Sequence, residues 1–152
     1  MQSIKVQSPE ESAALAARLG HLLEAGDVII LNGALAAGKT FFVKSLAEAL
    51  GSNDYISSPT YTIANFYNIP SGSVLHMDAY RLESMEEFRD LGLDEYFPEV
   101  ITLIEWGDKV AGDFEEYLAV DIDFVGQEKE EREYKFSAVG ARGQAVLDKL
   151  NA

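Results

Sequence analysis

The chain has 152 residues, 47% of them apolar and 25% charged, which fits one globular domain over residues 1–152 and excludes a disordered chain. Twelve basic side chains against 26 acidic ones leave a net charge of −14, a field that repels phosphate backbones and disfavours a protein gripping DNA or RNA alone. Cysteine is absent, which excludes disulfides, thiolate zinc sites and cysteine nucleophiles.

In chain order, Met1–Glu10 lacks the basic-then-apolar pattern of a secretory signal. No run approaches the roughly 20 apolar residues that cross a bilayer, so a cytoplasmic protein without membrane contact is expected. Ser8, Pro9 and Glu11 form a capping box with proline at the first helical position. Leu15, Leu19, Leu22 and Leu23 continue as one apolar face, predicting a helix that ends at Gly26. Val28–Leu31 is an unbroken apolar run, as expected of a strand buried on both faces. The small-residue loop Asn32–Gly38 leads into a helix over Lys39–Leu50, with Gly51 as its stop.

Tyr61–Tyr67 is rich in β-formers, and the turn Pro70-Ser71-Gly72 predicts a hairpin with Val74–Met77. Ser84 and Glu87 make a second capping box, opening a short helix that stops at Gly92. Val100–Ile104 is a second buried strand. Leu118–Phe124 and Tyr134–Ala138 alternate apolar and polar residues on either side of Gly126, a half-buried antiparallel hairpin. No repeat, linker or domain boundary interrupts these elements, and the expected fold class is a three-layer α/β domain with a mixed β-sheet.

Gly33-Ala34-Leu35-Ala36-Ala37-Gly38-Lys39-Thr40 fits the pattern G-x-x-x-x-G-K-[ST], with the strand before and helix after that the pattern requires. This points to a P-loop NTPase-like domain that binds a nucleotide with Mg²⁺. Backbone N–H groups of such a loop converge on phosphate oxygens, a lysine adds a point charge, and the hydroxyl after it ligates Mg²⁺. Lys39 and Thr40 stand at those positions.

Such a loop works with an acid at the carboxyl end of a neighbouring strand. Glu105 follows Val100–Ile104 and Asp78 follows Val74–Met77, so one is expected to hold metal while the other orients or deprotonates water. Trp106, the only tryptophan, reads from spacing alone as a core or rim aromatic. His76 lies inside an apolar strand and reads as a satisfied core histidine. Glu128–Glu133 reads as a solvated turn and strand face.

Together these pieces resemble the TsaE (formerly YjeE) ATPases, which support formation of threonylcarbamoyladenosine in tRNA. The resemblance spans almost the whole chain. Its specific parts are the loop from Leu31 to Thr40, Ser58-Pro59-Thr60-Tyr61-Thr62, His76-Met77-Asp78-Ala79-Tyr80-Arg81, Leu91–Tyr96 and Ile104-Glu105-Trp106. It implies ATP hydrolysis that is weak alone and meaningful in a complex with the TsaD and TsaB proteins, tRNA being reached only through that complex. By the same resemblance, the loop residues Gly33, Leu35, Ala36, Ala37, Gly38, Lys39, Thr40 and Phe41 bind nucleotide. Thr40 and Glu105 hold Mg²⁺; Asp78, Glu105, Thr60 and Trp106 are catalytic, with Thr60 in a switch-like segment. Ser12 and Arg132 fall where the family contacts nucleotide. The family loop carries Asp, Gly and Thr where this chain has Ala34, Ala36 and Phe41, and Ala36 stands where a glycine's backbone freedom is expected to matter.

Three rival readings stand beside this one, the adaptor being the serious competitor. A GTPase would carry an Asn-Lys-x-Asp base-reading motif, which is absent. A small-molecule phosphotransferase would bring an arginine-bearing lid, whereas Arg18, Arg81, Arg89, Arg132 and Arg142 are scattered. A regulatory ATP-binding adaptor without hydrolysis is separated from an ATPase only by measuring phosphate release.

Overall fold

A computed structural model describes residues 2–34, 36–54, 56, 63–126 and 129–151. Among these described residues are seven strands and four helices: β1 (Gln2–Val6), α1 (Pro9–Gly20), β2 (Val28–Gly33), α2 (Lys39–Ala49), β3 (Ala64–Ile69), β4 (Gly72–Asp78), α3 (Met85–Asp90), β5 (Ile101–Glu105), β6 (Tyr117–Phe124), β7 (Arg132–Val139) and α4 (Gly140–Leu150). The strands make one sheet in the order β1-β7-β6-β2-β5-β4-β3. Its centre, β6-β2-β5-β4, is parallel, and antiparallel strands complete both edges. The sheet is mixed, as the sequence predicts.

Strand alternation sorts the core onto two faces. Ile29 and Leu31 of β2, Leu103 of β5 and Val120 of β6 pack against α1, α2 and α4. Their neighbours Ile30, Ile104, Leu75 and Met77 face α3 and the short segments around it. The second layer is thin: one six-residue helix with single 3₁₀ turns at Phe97–Glu99, Gly107–Lys109 and Ala111–Asp113.

Local signals act largely as written in the sequence. The Ser8 and Ser84 hydroxyls accept from the N–H groups of Glu11 and Glu87. Helix α1, however, ends at Gly20 rather than Gly26. A Cβ at Gly20 would lie 3.2 Å from Leu46, so the helices meet closely there. Beyond it the chain turns, Leu22 and Leu23 packing on the core from outside the helix. Gly26, at φ +97°, serves the entry to β2 and donates to the Val100 carbonyl. Strand β3 begins at Ala64, because Ile63 has φ +68°, while Tyr61 and Thr62 lie outside the described residues.

Two elements have no counterpart in the sequence reading. Strand β1 pairs with β7, and Ser3 donates to Glu133 at 2.6 Å, so that part of the acidic stretch has a structural partner. Helix α4 buries Val146, Leu147 and Leu150. It is tied to the start of β2 by Arg142, whose Nε and Nη2 donate to the two oxygens of Asp27 at 2.8 Å each. Asp27 is buried, and this pairing holds the Arg142 guanidinium more basic than usual. Removing the arginine strands a buried carboxylate. Arg142→Ala is therefore expected to lower unfolding free energy by about 3 kcal/mol, read by urea denaturation. A loss under about 0.5 kcal/mol, ordinary for a surface change, would separate this pair from the stability of the fold.

Candidate functional site

The loop after β2 lies at the carboxyl end of the parallel strands, beside β5, where open α/β sheets place ligands. Gly33 has φ +155°, and a Cβ there would stand 2.6 Å from the Ile122 carbonyl of β6. Gly38 takes φ +112° at the start of α2 and offers no capping side chain. The first-turn N–H groups of a helix have no intrahelical acceptor, so this end favours an anion. Lys39, 5% exposed, donates from Nζ to the carbonyls of Gly33 at 2.7 Å and Ala34 at 3.0 Å. The same ammonium lies 4.3 Å from the centre of the Trp106 ring. Burial pushes the Lys39 pKa below its ordinary value, with Glu105 and Asp78 pulling it back up.

Asp78 and Glu105 are register partners on the adjacent parallel strands β4 and β5. Both project to the face that carries α2, and both are buried. The Thr40 hydroxyl lies 3.1 and 2.9 Å from the two carboxylate oxygens of Glu105. Oε2 of Glu105 also accepts from His76 Nε2 at 2.6 Å. Asp78 accepts from the Tyr80 N–H at 2.8 Å and gives its own N–H to the Ile63 carbonyl. A hydroxyl and a carboxylate in contact are the hard oxygen donors that a small divalent cation takes. Among the described residues no cluster of three His, Cys, Asp or Glu side chains could hold a metal.

Trp106 leaves β5 with φ +58° and donates its N–H to the Leu31 carbonyl, turning its ring between Lys39 and Tyr80. It is half-buried, at the site and packed against the second core cluster. Asn32 binds Asp108 and Asp121 through Nδ2, joining the end of β2 to β6 and to the turn after β5. The sequence reading gave Asn32 no role by itself; an amide just before the loop glycine was the only signal.

The model of the family described as "Threonylcarbamoyl adenosine biosynthesis protein TsaE" matches residues 6–134. The chain belongs to the TsaE family. A tRNA threonylcarbamoyladenosine biosynthesis protein TsaE from Bacillus subtilis is 40% identical over 146 residues, covering 95% of this chain and 90% of the relative. Its counterpart from Treponema pallidum is 45% identical over 112 residues, 73% of this chain and 82% of the relative. The crystal structure of Bacillus subtilis YdiB superposes with a TM-score of 0.84 at 35% identity, covering 99% of this chain and 93% of the other.

The residues to which the TsaE resemblance gives a role fall into two groups. Lys39, Thr40, Asp78, Glu105 and Trp106 converge on the β5 side of the loop. Ser12, Ala37, Gly38, Phe41 and Arg132 line a separate cleft of about 240 Å³ on the β7 side. There Arg132 donates from Nε to the Ala37 carbonyl at 2.9 Å and stacks over Phe124. Ser12 is buried and hydrogen-bonded to Tyr134, whose phenol burial pushes above its usual pKa. Thr60 and Leu35, and the whole segment 57–62, lie outside the described residues.

Ala36 has φ +66°, so the loop keeps a left-handed angle at the position where the family uses glycine. That conformation costs a non-glycine residue about 1–2 kcal/mol, against about 0.5–1 kcal/mol for the extra chain freedom of glycine. Ala36→Gly is expected to raise stability by about 0.5 kcal/mol in urea denaturation, the balance of those two effects. A loss of stability would mean that the loop relaxes away from this angle in solution.

Proposed function

We propose that this chain is an Mg²⁺-dependent ATPase acting in tRNA threonylcarbamoyladenosine biosynthesis, in the cytoplasm, through a complex with TsaD and TsaB proteins. The observation that carries the catalytic part is the contact of Thr40 with both oxygens of Glu105, directly beneath the loop that holds Lys39. The pathway follows from membership of the TsaE family and from the names of its relatives.

In this reading the loop backbone and the α2 N-terminus receive the β- and γ-phosphates. Lys39 exchanges the carbonyls of Gly33 and Ala34 for phosphate oxygens, and loses little by doing so, because a buried ammonium gains more from anionic partners than from neutral ones. Thr40 and Glu105 would hold Mg²⁺, which would supply positive charge beside the phosphates. Asp78, in register with Glu105, orients the attacking water and accepts its proton. Trp106 covers the ammonium and keeps solvent from it. Ser12, Phe41 and Arg132 border the rest of the nucleotide.

The measurement is phosphate release with and without TsaD and TsaB. Wild type is expected to release phosphate slowly alone and faster with the partners. Glu105→Gln is expected to lower the rate about 10–100-fold while melting like wild type. Lys39→Ala is expected to weaken ADP binding about 10–100-fold in calorimetry, the loss of one charge-assisted contact. No phosphate from wild type in either setting would leave the adaptor reading standing.

The net charge of −14 opposes tRNA binding by this chain alone, so the partner supplies the basic surface. ATP and ADP forms are expected to differ in affinity for the TsaD–TsaB complex by about 5–150-fold, with Thr60→Ala shrinking that ratio. Equal affinities for both wild-type forms would make the chain a scaffold and not a switch.

A further inference from the structure

His76 is fully buried, yet neither ring nitrogen is idle. Nε2 donates to Glu105 Oε2 at 2.6 Å, and Nδ1 lies 2.9 Å from the Tyr67 hydroxyl. The neutral tautomer with the proton on Nε2 satisfies both contacts, since a carboxylate only accepts and a phenol can donate.

The register explains why these groups meet. Tyr67 is paired with Val74 across β3 and β4, and His76 is two residues further along. His76 is paired with Leu103 across β4 and β5, and Glu105 is again two residues further. Each contact is therefore a diagonal neighbour on one face, within reach of aromatic and long side chains. The chain Tyr67–His76–Glu105–Thr40 crosses three strands and ends on the first turn of α2.

Among the described residues, Glu105 has two side-chain hydrogen-bond partners, Thr40 and His76, besides its electrostatic attraction to Lys39. A Thr40 hydroxyl that turned its lone pairs to a cation would leave His76 as the anchor that does not move. We infer that His76, itself held by Tyr67, is a positioning residue that fixes the Glu105 carboxylate for cation binding. This rests on the reading of Thr40 and Glu105 as the cation-holding pair. Outer partners of metal-binding carboxylates act in this way, and losing one typically costs about 10–100-fold in metal affinity.

The test uses Mn²⁺ as probe, titrated into protein saturated with a non-hydrolysable ATP analogue and followed by electron paramagnetic resonance. Metal-free ADP affinity is read in parallel from Trp106, the only tryptophan. His76→Leu is expected to weaken Mn²⁺ binding at least tenfold while metal-free ADP affinity stays within about twofold. His76→Gln keeps an N–H donor near the Nε2 position and is expected to restore Mn²⁺ affinity to within about threefold of wild type. Tyr67→Phe removes one oxygen and is expected to cost about threefold, a fraction of the loss from the inner partner.

Equal Mn²⁺ affinity in wild type and His76→Leu, or equal losses in the Leu and Gln variants, would overturn the inference. If His76→Leu shows no cooperative melt, Tyr67→Phe decides, and unchanged Mn²⁺ affinity there would also overturn it. Wild type that takes up no Mn²⁺ with the nucleotide analogue would overturn the cation-holding reading beneath it, a result distinct from any difference among variants.

Discussion

Glu105 is a carboxylate 3% exposed at the end of a buried strand, and the rest of the site is arranged around making that tolerable. A buried charge without partners costs several kcal/mol, so its position is acceptable only with donors aimed at it. Thr40 supplies one from the start of α2 and His76 supplies another from β4. Three elements distant in sequence are thereby tied at one point: the end of β5, the end of β4 and the first turn after the loop. The same contacts leave a hydroxyl and a carboxylate side by side next to a buried ammonium, the combination from which a phosphate and a divalent cation are held.

The local backbone bears the cost of that arrangement. Among the described residues, the non-glycine positions with positive φ are Ala36, Ile63 and Trp106. Ala36 is in the loop, Trp106 follows Glu105, and the Ile63 carbonyl receives the Asp78 N–H. Each of these angles is worth about 1–3 kcal/mol of strain, and such strain persists where surrounding contacts over-determine the geometry. At Trp106 those contacts are the N–H bond to Leu31 and the close seat of Gly107, where a Cβ would lie 2.8 Å from Ile30. Strain next to the acids and the loop is consistent with a site that trades stability for placement.

The acidic composition takes on a clearer meaning once the basic residues are located. Arg18 donates to the Leu150 carbonyl, Arg89 pairs with Asp113, Arg132 holds the Ala37 carbonyl, and Arg142 serves Asp27. Four of the five arginines thus have partners at separate places. That distribution argues against an arginine-bearing phosphotransferase lid, as scattering in the sequence suggests. With 26 acidic against 12 basic side chains, the remaining charge of this TsaE-family chain is strongly negative.

The sequence by itself determined the features that depend on neighbours along the chain. The Ser8 and Ser84 caps, the apolar strands around residues 28 and 101, the phosphate-loop pattern and the C-terminal hairpin all rest on spacings of a few residues, which the backbone enforces wherever the segment lies. It also put Asp78 and Glu105 at strand ends, although adjacency in register required the sheet order. Elements stabilised from a distance were beyond it. Five-residue β1 exists through β7, and α4 through the Arg142–Asp27 pair and the core face it covers. Leu22 and Leu23 continue a helical period in sequence, but the helix ends at Gly20 and their N–H groups close turns onto Leu19 and Gly20. His76 shows the division most clearly. As a residue in an apolar strand it reads as core, and it is buried; that its partner is Glu105 was settled by the lateral order of β3, β4 and β5, which no local spacing encodes.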